Sequence, residues 1–236
     1  RLVEFIGGTA RNALPREAVA TIAILSNQLP ELEKLLAEYQ TTWKNQLQGN
    51  DDNLQLTIQP NSAEVTEVIA QQQQNEWLQA LATSPYGVAS MSQVLPDVVE
   101  TSNNIAKVTV GGGNLKVECL TRSSVETSKF DLANSLRSAF ELVGCEVELS
   151  GSYPGWTPNV NSEILDVLVG IYEKQNNEKP KVVACHAGLE CGILGTNYPD
   201  MDMISFGPTI HGAHSPDERA SISSSQKYWK FVLEIL

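Results

Sequence analysis

The chain has 236 residues, 42% of them hydrophobic, enough for one large core or two of ordinary size. A formal net charge of −12 argues against nucleic acid or an anionic membrane as a partner, because lysine and arginine are outnumbered and nowhere cluster. No apolar run approaches the roughly 20 residues that span a bilayer, and Arg1-Leu2-Val3-Glu4 lacks the basic-then-apolar pattern of a signal peptide, so the chain reads as cytoplasmic.

The first half reads as a small α+β module. Leu2, Val3, Phe5 and Ile6 form a strand that ends at Gly7-Gly8; with nothing before it, the chain reads as one that begins within a domain. A second β-branched run over residues 19–25 predicts a hairpin around residues 10–15. Pro30 opens a helix with Leu32, Leu35, Leu36, Tyr39 and Trp43 at helical spacing. Leu54, Leu56 and Ile58 alternate with polar residues and predict a third strand ended by Pro60, after which Ser62 caps a helix reaching about Thr83. Residues 105–110 and 115–122 read as two strands around Gly111-Gly112-Gly113. No Gly-Lys-Ser/Thr follows and the next element is a strand, so the glycines mark a hairpin turn and not a phosphate loop. Ser128 precedes a helix with Leu132, Leu136, Ala139, Phe140 and Val143 on one face, closed by Gly144, and residues 146–149 predict another strand.

The prolines and glycine of Tyr153-Pro154-Gly155-Trp156-Thr157-Pro158 punctuate the chain where its pattern changes, which divides it into residues 1–152 and 153–236. The second part has α/β character: a helix over residues 162–174, the buried-type strand KVVACH, a glycine-rich turn into a short helix, an apolar strand over residues 203–206 and a final helix over residues 221–236. About 80 residues are too few for a sheet covered on both faces, so this part does not stand alone. The four cysteines have no close-pair spacing for zinc or redox chemistry and read as reduced thiols.

All three histidines, His186, His211 and His214, fall in the last quarter. The string GPTIHGAHSPDE follows a predicted strand, and loops at strand ends are where α/β proteins place ligands. That puts His214 in a site position, although a lone loop histidine is more often a surface residue. Asp217 and Glu218 equally suit the start of the last helix. Zinc needs three or four ligands, so the others must come from elsewhere.

Four stretches, GGTARNALPREA (7–18), YPGWTPN (153–159), HAGLECGILG (186–195) and GPTIHGAHSPDE (207–218), together resemble the aminoacyl-histidine dipeptidases, also called Xaa-His dipeptidases or bacterial carnosinases, of the M20 metallopeptidase family. They run in the family's order and cover nearly the whole chain. The resemblance implies a catalytic domain with two zinc ions (cobalt or manganese being alternatives) bridged by an aspartate and a water, and a lid domain inserted into it. His214 matches the family's last metal ligand. The other ligands and the catalytic base, in an HxD motif, a bridging Asp, a Glu-Glu pair and a further Asp, precede the lid; the chain contains no HxD and no Glu-Glu pair. The implied fold is an α+β lid of ferredoxin-like βαβ units over residues 1–152, N-terminally incomplete, joined to the C-terminal segment of an α/β zinc-peptidase catalytic domain over 153–236.

By the same resemblance Asn12 matches a lid asparagine that hydrogen-bonds the substrate or the oxyanion of the tetrahedral intermediate, whereas the residues alone favour a turn asparagine. Arg122 matches the arginine that takes the C-terminal carboxylate of the substrate, a bidentate task suited to guanidinium; a strand-end ion pair is the plain alternative. Gly188 matches a glycine whose backbone approaches the substrate. His186 and Glu190 are second-choice site residues by their company in that loop. The implied whole is a dizinc hydrolase cutting Xaa-His dipeptides such as carnosine with metal-activated water, a small peptide its only evident partner besides a second subunit that could pair through the lid. This chain alone is expected to be inactive. Another M20 hydrolase, a tripeptidase or acyl-amino-acid deacylase, and a non-catalytic lid-like interaction module are the alternatives.

Overall fold

A computed structural model describes residues 1–61, 63–184, 190–213 and 217–236 of the chain. Ser62, the end of the KVVACH stretch, His186, Gly188 and His214 lie outside the described residues. The chain divides into two compact units, one formed by residues 1–84, 104–120 and 136–147 and the other by residues 85–103, 121–135 and 148–236.

In the first unit, β1 (Leu2–Gly7) and β2 (Ala18–Ile22) form the expected antiparallel hairpin, with Phe5 opposite Ala20. The loop between them is held at its base, where Gly8 N donates to the Glu17 carbonyl at 3.1 Å. Gly8 has φ of 73°, and a Cβ there would run into the Ala106 carbonyl oxygen, so the position takes only glycine. Helix α1 (Leu29–Gln46) starts with Pro30 in its first turn, where the missing N–H costs nothing. The strand expected over residues 54–58 does not form. No strand runs beside it among the described residues, and its Leu56 N–H goes instead to Gln40 Oε1 at 2.6 Å.

The next helix, α2, spans only Gln71–Thr83. Residues 63–70, expected to be helical, are not: Ile69 N donates to the Leu2 carbonyl at 2.9 Å, which carries Ile69 into the core. Strands β4 (Val99–Gly111) and β5 (Asn114–Ser123) pair through a two-residue turn in which Gly112 and Gly113 both have positive φ, as a primed hairpin turn requires. Phe5 of β1 lies opposite Val110 of β4. Ile69, Trp77, Val108 and Val110 form the buried cluster, with Leu2, Phe5, Leu81, Val117 and Val143 packed on it. Helix α3 (Glu126–Glu141) closes at Gly144, where Cys145 N reaches the Phe140 carbonyl at 3.0 Å. Residues 146–149 form no strand, again for want of a neighbouring ladder among the described residues.

In the second unit, the short strand β3 (Gly87–Met91), which no sequence signal marked, pairs antiparallel with the start of β4, Gly87 opposite Asn103. Helix α4 (Glu163–Asn176) begins where its periodicity placed it, at Ser162, whose Oγ accepts from Leu165 N. Then come α5 (Glu190–Asn197), the two-residue strands β6 (Ile210–His211) and β7 (Arg219–Ala220), and α6 (Ile222–Ile235), capped by Ser221. Tyr172 of α4 and Phe206 both meet the Phe231 ring of α6 edge-on, at 5.8 and 5.2 Å. Residues 181–184 and 203–206 read as buried strands, yet neither belongs to a strand here. Both line a largely apolar cavity of about 1150 Å³ that Trp156, Leu168 and Phe231 also wall.

Candidate substrate-binding site

Arg122 is the penultimate residue of β5. Side chains alternate along a strand, so Thr121 and Ser123 share one face and Arg122 points to the other. The first face is tied to β4 by side chains: Thr121 Oγ1 donates to Asn103 Oδ1 at 3.0 Å, and the Ser123 and Thr101 hydroxyls lie 2.8 Å apart. Asn103 Nδ2 in turn donates to the Pro85 carbonyl at 2.8 Å. Thr101, Asn103 and Ser123 are buried, and each of these bonds satisfies a group that would otherwise cost stability. Arg122 itself is half-buried, and among the described residues its guanidinium makes no ion pair or hydrogen bond. The strand-end ion pair that would account for it structurally has no acid partner there.

The chain just past Arg122 is gripped by the 153–158 segment. Thr157 Oγ1 donates to the Ser124 carbonyl at 3.0 Å, and Gly155 N donates to Glu126 Oε2 at 3.1 Å. Lys129 Nζ donates to the same Glu126 oxygen at 2.9 Å and to the Tyr153 carbonyl at 2.7 Å. Burial opposes ionisation of Glu126, but the hydrogen bonds from Lys129 and Gly155, with the lysine charge, outweigh it and hold the carboxyl below its ordinary value. A Cβ on Gly155 would lie 2.8 Å from both the Ser123 and Ser124 carbonyl oxygens. One layer further on, a Cβ on Gly192 of α5 would lie 2.6 Å from the Pro154 carbonyl oxygen. Glycine at both positions lets three backbones stack: the end of β5, the 153–158 turn and the first turns of α5, which begin with the exposed Glu190.

Asn12 is exposed in the β1–β2 loop of the first unit, and its side chain makes no hydrogen bond among the described residues. Asn104 Nδ2 pins the neighbouring Ala13 carbonyl at 2.8 Å. His211 is exposed in β6. Neither Arg122 nor Glu190 lines the apolar cavity. Sequence reasoning passed over Glu126, Lys129, Gly155 and Gly192. A lysine three residues after a glutamate in a helix reads as a solvated pair, and only the distant Tyr153 carbonyl makes it otherwise.

Comparison with known proteins decides the family. The model of peptidase family M20/M25/M40 matches residues 11–236. The chain belongs to that family. It is 40% identical, over its full length, to the cytosol non-specific dipeptidase of Escherichia coli, of which it covers 48%. The crystal structure of aminoacylhistidine dipeptidase from Vibrio alginolyticus superposes with a TM-score of 0.89 at 39% identity, covering all of this chain and 48% of that one. Aminopeptidase PepT from Bacillus cereus shares the fold over 68% of this chain and 43% of its own, with a TM-score of 0.57 at 16% identity. The chain therefore spans about half the length of the relatives it matches. Peptidases of this family generally bind metal ions, but among the described residues no three His, Cys, Asp or Glu side chains gather to hold one. These residues do not by themselves fit a metal centre. No helix among them is long and apolar enough to cross a membrane.

Proposed function

We propose that this chain is the substrate-holding half of a metal-dependent dipeptidase, with residues 1–152 acting as a lid and 153–236 as the C-terminal segment of the catalytic domain. The observation that carries the reading is the half-buried guanidinium of Arg122 on a braced strand end, which meets no ion-pair or hydrogen-bond partner among the described residues, in a chain about 40% identical to two dipeptidases. A half-buried arginine that meets no carboxylate among the described residues is suited to receive one from a ligand, and the planar fork of guanidinium matches a peptide C-terminus. Asn12 serves as a donor to the scissile carbonyl or its oxyanion, and the proposed role of Gly188 is to leave room for the peptide backbone; His186 and Glu190, two residues to either side of it in sequence, are second-choice site residues.

In the complete enzyme His214 would contribute one ligand to a pair of zinc ions, or cobalt or manganese in their place, which would supply an activated water when bound. The remaining ligands and the base come from sequence that this chain does not contain, so the chain alone is inactive. The lid is also the surface through which a second subunit pairs, and the cytosol is its place of work, as the name of the E. coli relative has it for that protein.

Two substrate ranges follow from the two relatives: Xaa-His dipeptides such as carnosine, and dipeptides at large. The test is a hydrolysis panel with the full-length enzyme, pairing Xaa-His with Xaa-Ala, Xaa-Leu and tripeptides, with and without a chelator. Chelator-sensitive cleavage confined to Xaa-His supports the narrow range, and cleavage of all dipeptides supports the broad one. Preference for tripeptides or acyl-amino acids would overturn the dipeptidase reading.

A further inference from the structure

Lys129 is the least expected side chain of the second unit. Its side chain is 10% exposed, yet it carries a charge, and its ammonium donates to two groups that fix backbone: the Glu126 carboxylate, which also holds Gly155 N–H, and the Tyr153 carbonyl. Stability alone does not call for a lysine here. The Glu126 side chain is 48% exposed, so solvent screens the attraction, which returns little against the cost of desolvating the lysine. What the pair does provide is directional. It fixes the turn at residues 153–157 in one position on the Ser123–Ser124 backbone, at a spacing that Gly155 keeps too narrow for any Cβ. Arg122 is the residue immediately before that backbone. The Thr101–Ser123 and Asn103–Thr121 hydrogen bonds hold the strand from its other face, so the strand end is fixed on both sides, and among the described residues nothing pairs with the guanidinium between them.

We propose that Lys129 and Glu126 are positioning residues for Arg122, clamping the 153–157 turn onto the end of β5 so that the guanidinium meets a substrate carboxylate in one fixed geometry. The same clamp registers α5, because Gly192 rests on the Pro154 carbonyl of the clamped turn. This rests on the reading of Arg122 as the carboxylate-binding residue, and the experiment separates the two.

In the full-length enzyme, Lys129→Met keeps the aliphatic stem and removes both hydrogen bonds, Lys129→Arg keeps the charge, and Glu126→Gln keeps the shape while removing the opposing charge. Each is assayed on a free dipeptide and on the same dipeptide with an amidated C-terminus, beside Arg122→Ala. A misplacement of about 1 Å at a binding group can cost on the order of a hundredfold, and a partly retained clamp costs less. Lys129→Met is expected to raise KM for the free dipeptide about tenfold with kcat little changed, and to shrink the acid-over-amide preference by the same factor. Glu126→Gln should follow in the same direction, and Lys129→Arg should restore most of the preference. If Lys129→Met and Glu126→Gln keep the wild-type preference while both substrates lose activity in proportion, the pair is structural only and the clamp is overturned. That outcome with the preference lost in Arg122→Ala removes the clamp alone; an unchanged preference in Arg122→Ala removes the reading of Arg122 and the clamp with it.

Discussion

Two helical glycines should respond to the same substitution with opposite signs. Gly170 lies on the exposed side of α4, with nothing within 4 Å of a built Cβ, whereas Gly192 of α5 is buried and its Cβ would stand 2.6 Å from the Pro154 carbonyl oxygen. In a helix interior alanine is favoured over glycine by about 1 kcal/mol, since it has less backbone freedom to lose. Gly170→Ala should therefore stabilise by about 0.5 to 1 kcal/mol. The same gain at Gly192 is opposed by overpacking, typically about 1 to 3 kcal/mol. The upper part of that range applies, because the atom met is a main-chain carbonyl next to Tyr153, whose own carbonyl Lys129 holds. The net expectation is a loss of about 1 to 2 kcal/mol. Scanning calorimetry or urea unfolding of the full-length enzyme reads the difference, with roughly 2 to 4 °C in Tm per kcal/mol at 150–250 residues and less in a longer chain. If both variants move Tm upward by similar amounts, α5 does not rest on the Pro154 carbonyl and the stack described at the site is wrong.

Asp202 accepts from Ile164 N, Ser162 Oγ and Asn159 Nδ2, and the Ile164 bond above all, against the effect of burial, holds its carboxyl below the ordinary value. A carboxylate whose folded pKa is depressed stabilises above its unfolded pKa of about 3.9, and that contribution is lost as pH falls through the folded value. Asp202→Asn should thus lower Tm at pH 7, and the gap to wild type should close below about pH 4; a pH-independent gap would show that the charge is not what matters. The 236-residue chain alone, with zinc added, should hydrolyse no dipeptide, because one ligand does not hold the ion at useful affinity. Chelator-sensitive turnover by that chain would contradict the account of where the ligands lie. In the full-length enzyme His214→Ala should lower metal content and kcat together while His211→Ala does neither, and the reverse ranking would move the ligand to His211.

Elements whose signals are local were legible in the sequence. Pro30 opening α1, the starts of α4 and α6 at Ser162 and Ser221, Gly144 closing α3 and the glycine pair turning β4 into β5 each act through contacts within a few residues. Strands failed where the partner is remote. Residues 54–58 and 203–206 carry strand patterns without a ladder beside them here, and β3 carries no strong pattern but forms because the start of β4 runs alongside. The site divides the same way. Arg122 could be named from its motif, but its want of a partner among the described residues could not, since that depends on where the acidic side chains end up. Lys129 looks like any surface lysine until the Tyr153 carbonyl, 24 residues away, closes over it. Gly155 and Gly192 look no different in sequence from Gly170, and only the backbones stacked against them distinguish them.

The central claim is that Arg122 receives the C-terminal carboxylate of a dipeptide, and the direct measurement is kcat/KM of wild-type and Arg122→Ala full-length enzyme on an Xaa-His dipeptide and on its C-terminal amide. Removing one partner of a desolvated charge pair costs about 2 to 5 kcal/mol, and the partial exposure of Arg122 places it in the lower half, so the variant should lose roughly 30- to 400-fold on the free acid. Wild-type enzyme should strongly prefer the free acid, and the variant should treat acid and amide nearly alike. An Arg122→Ala enzyme that keeps the full preference for the free acid would contradict the account and place the carboxylate on another residue.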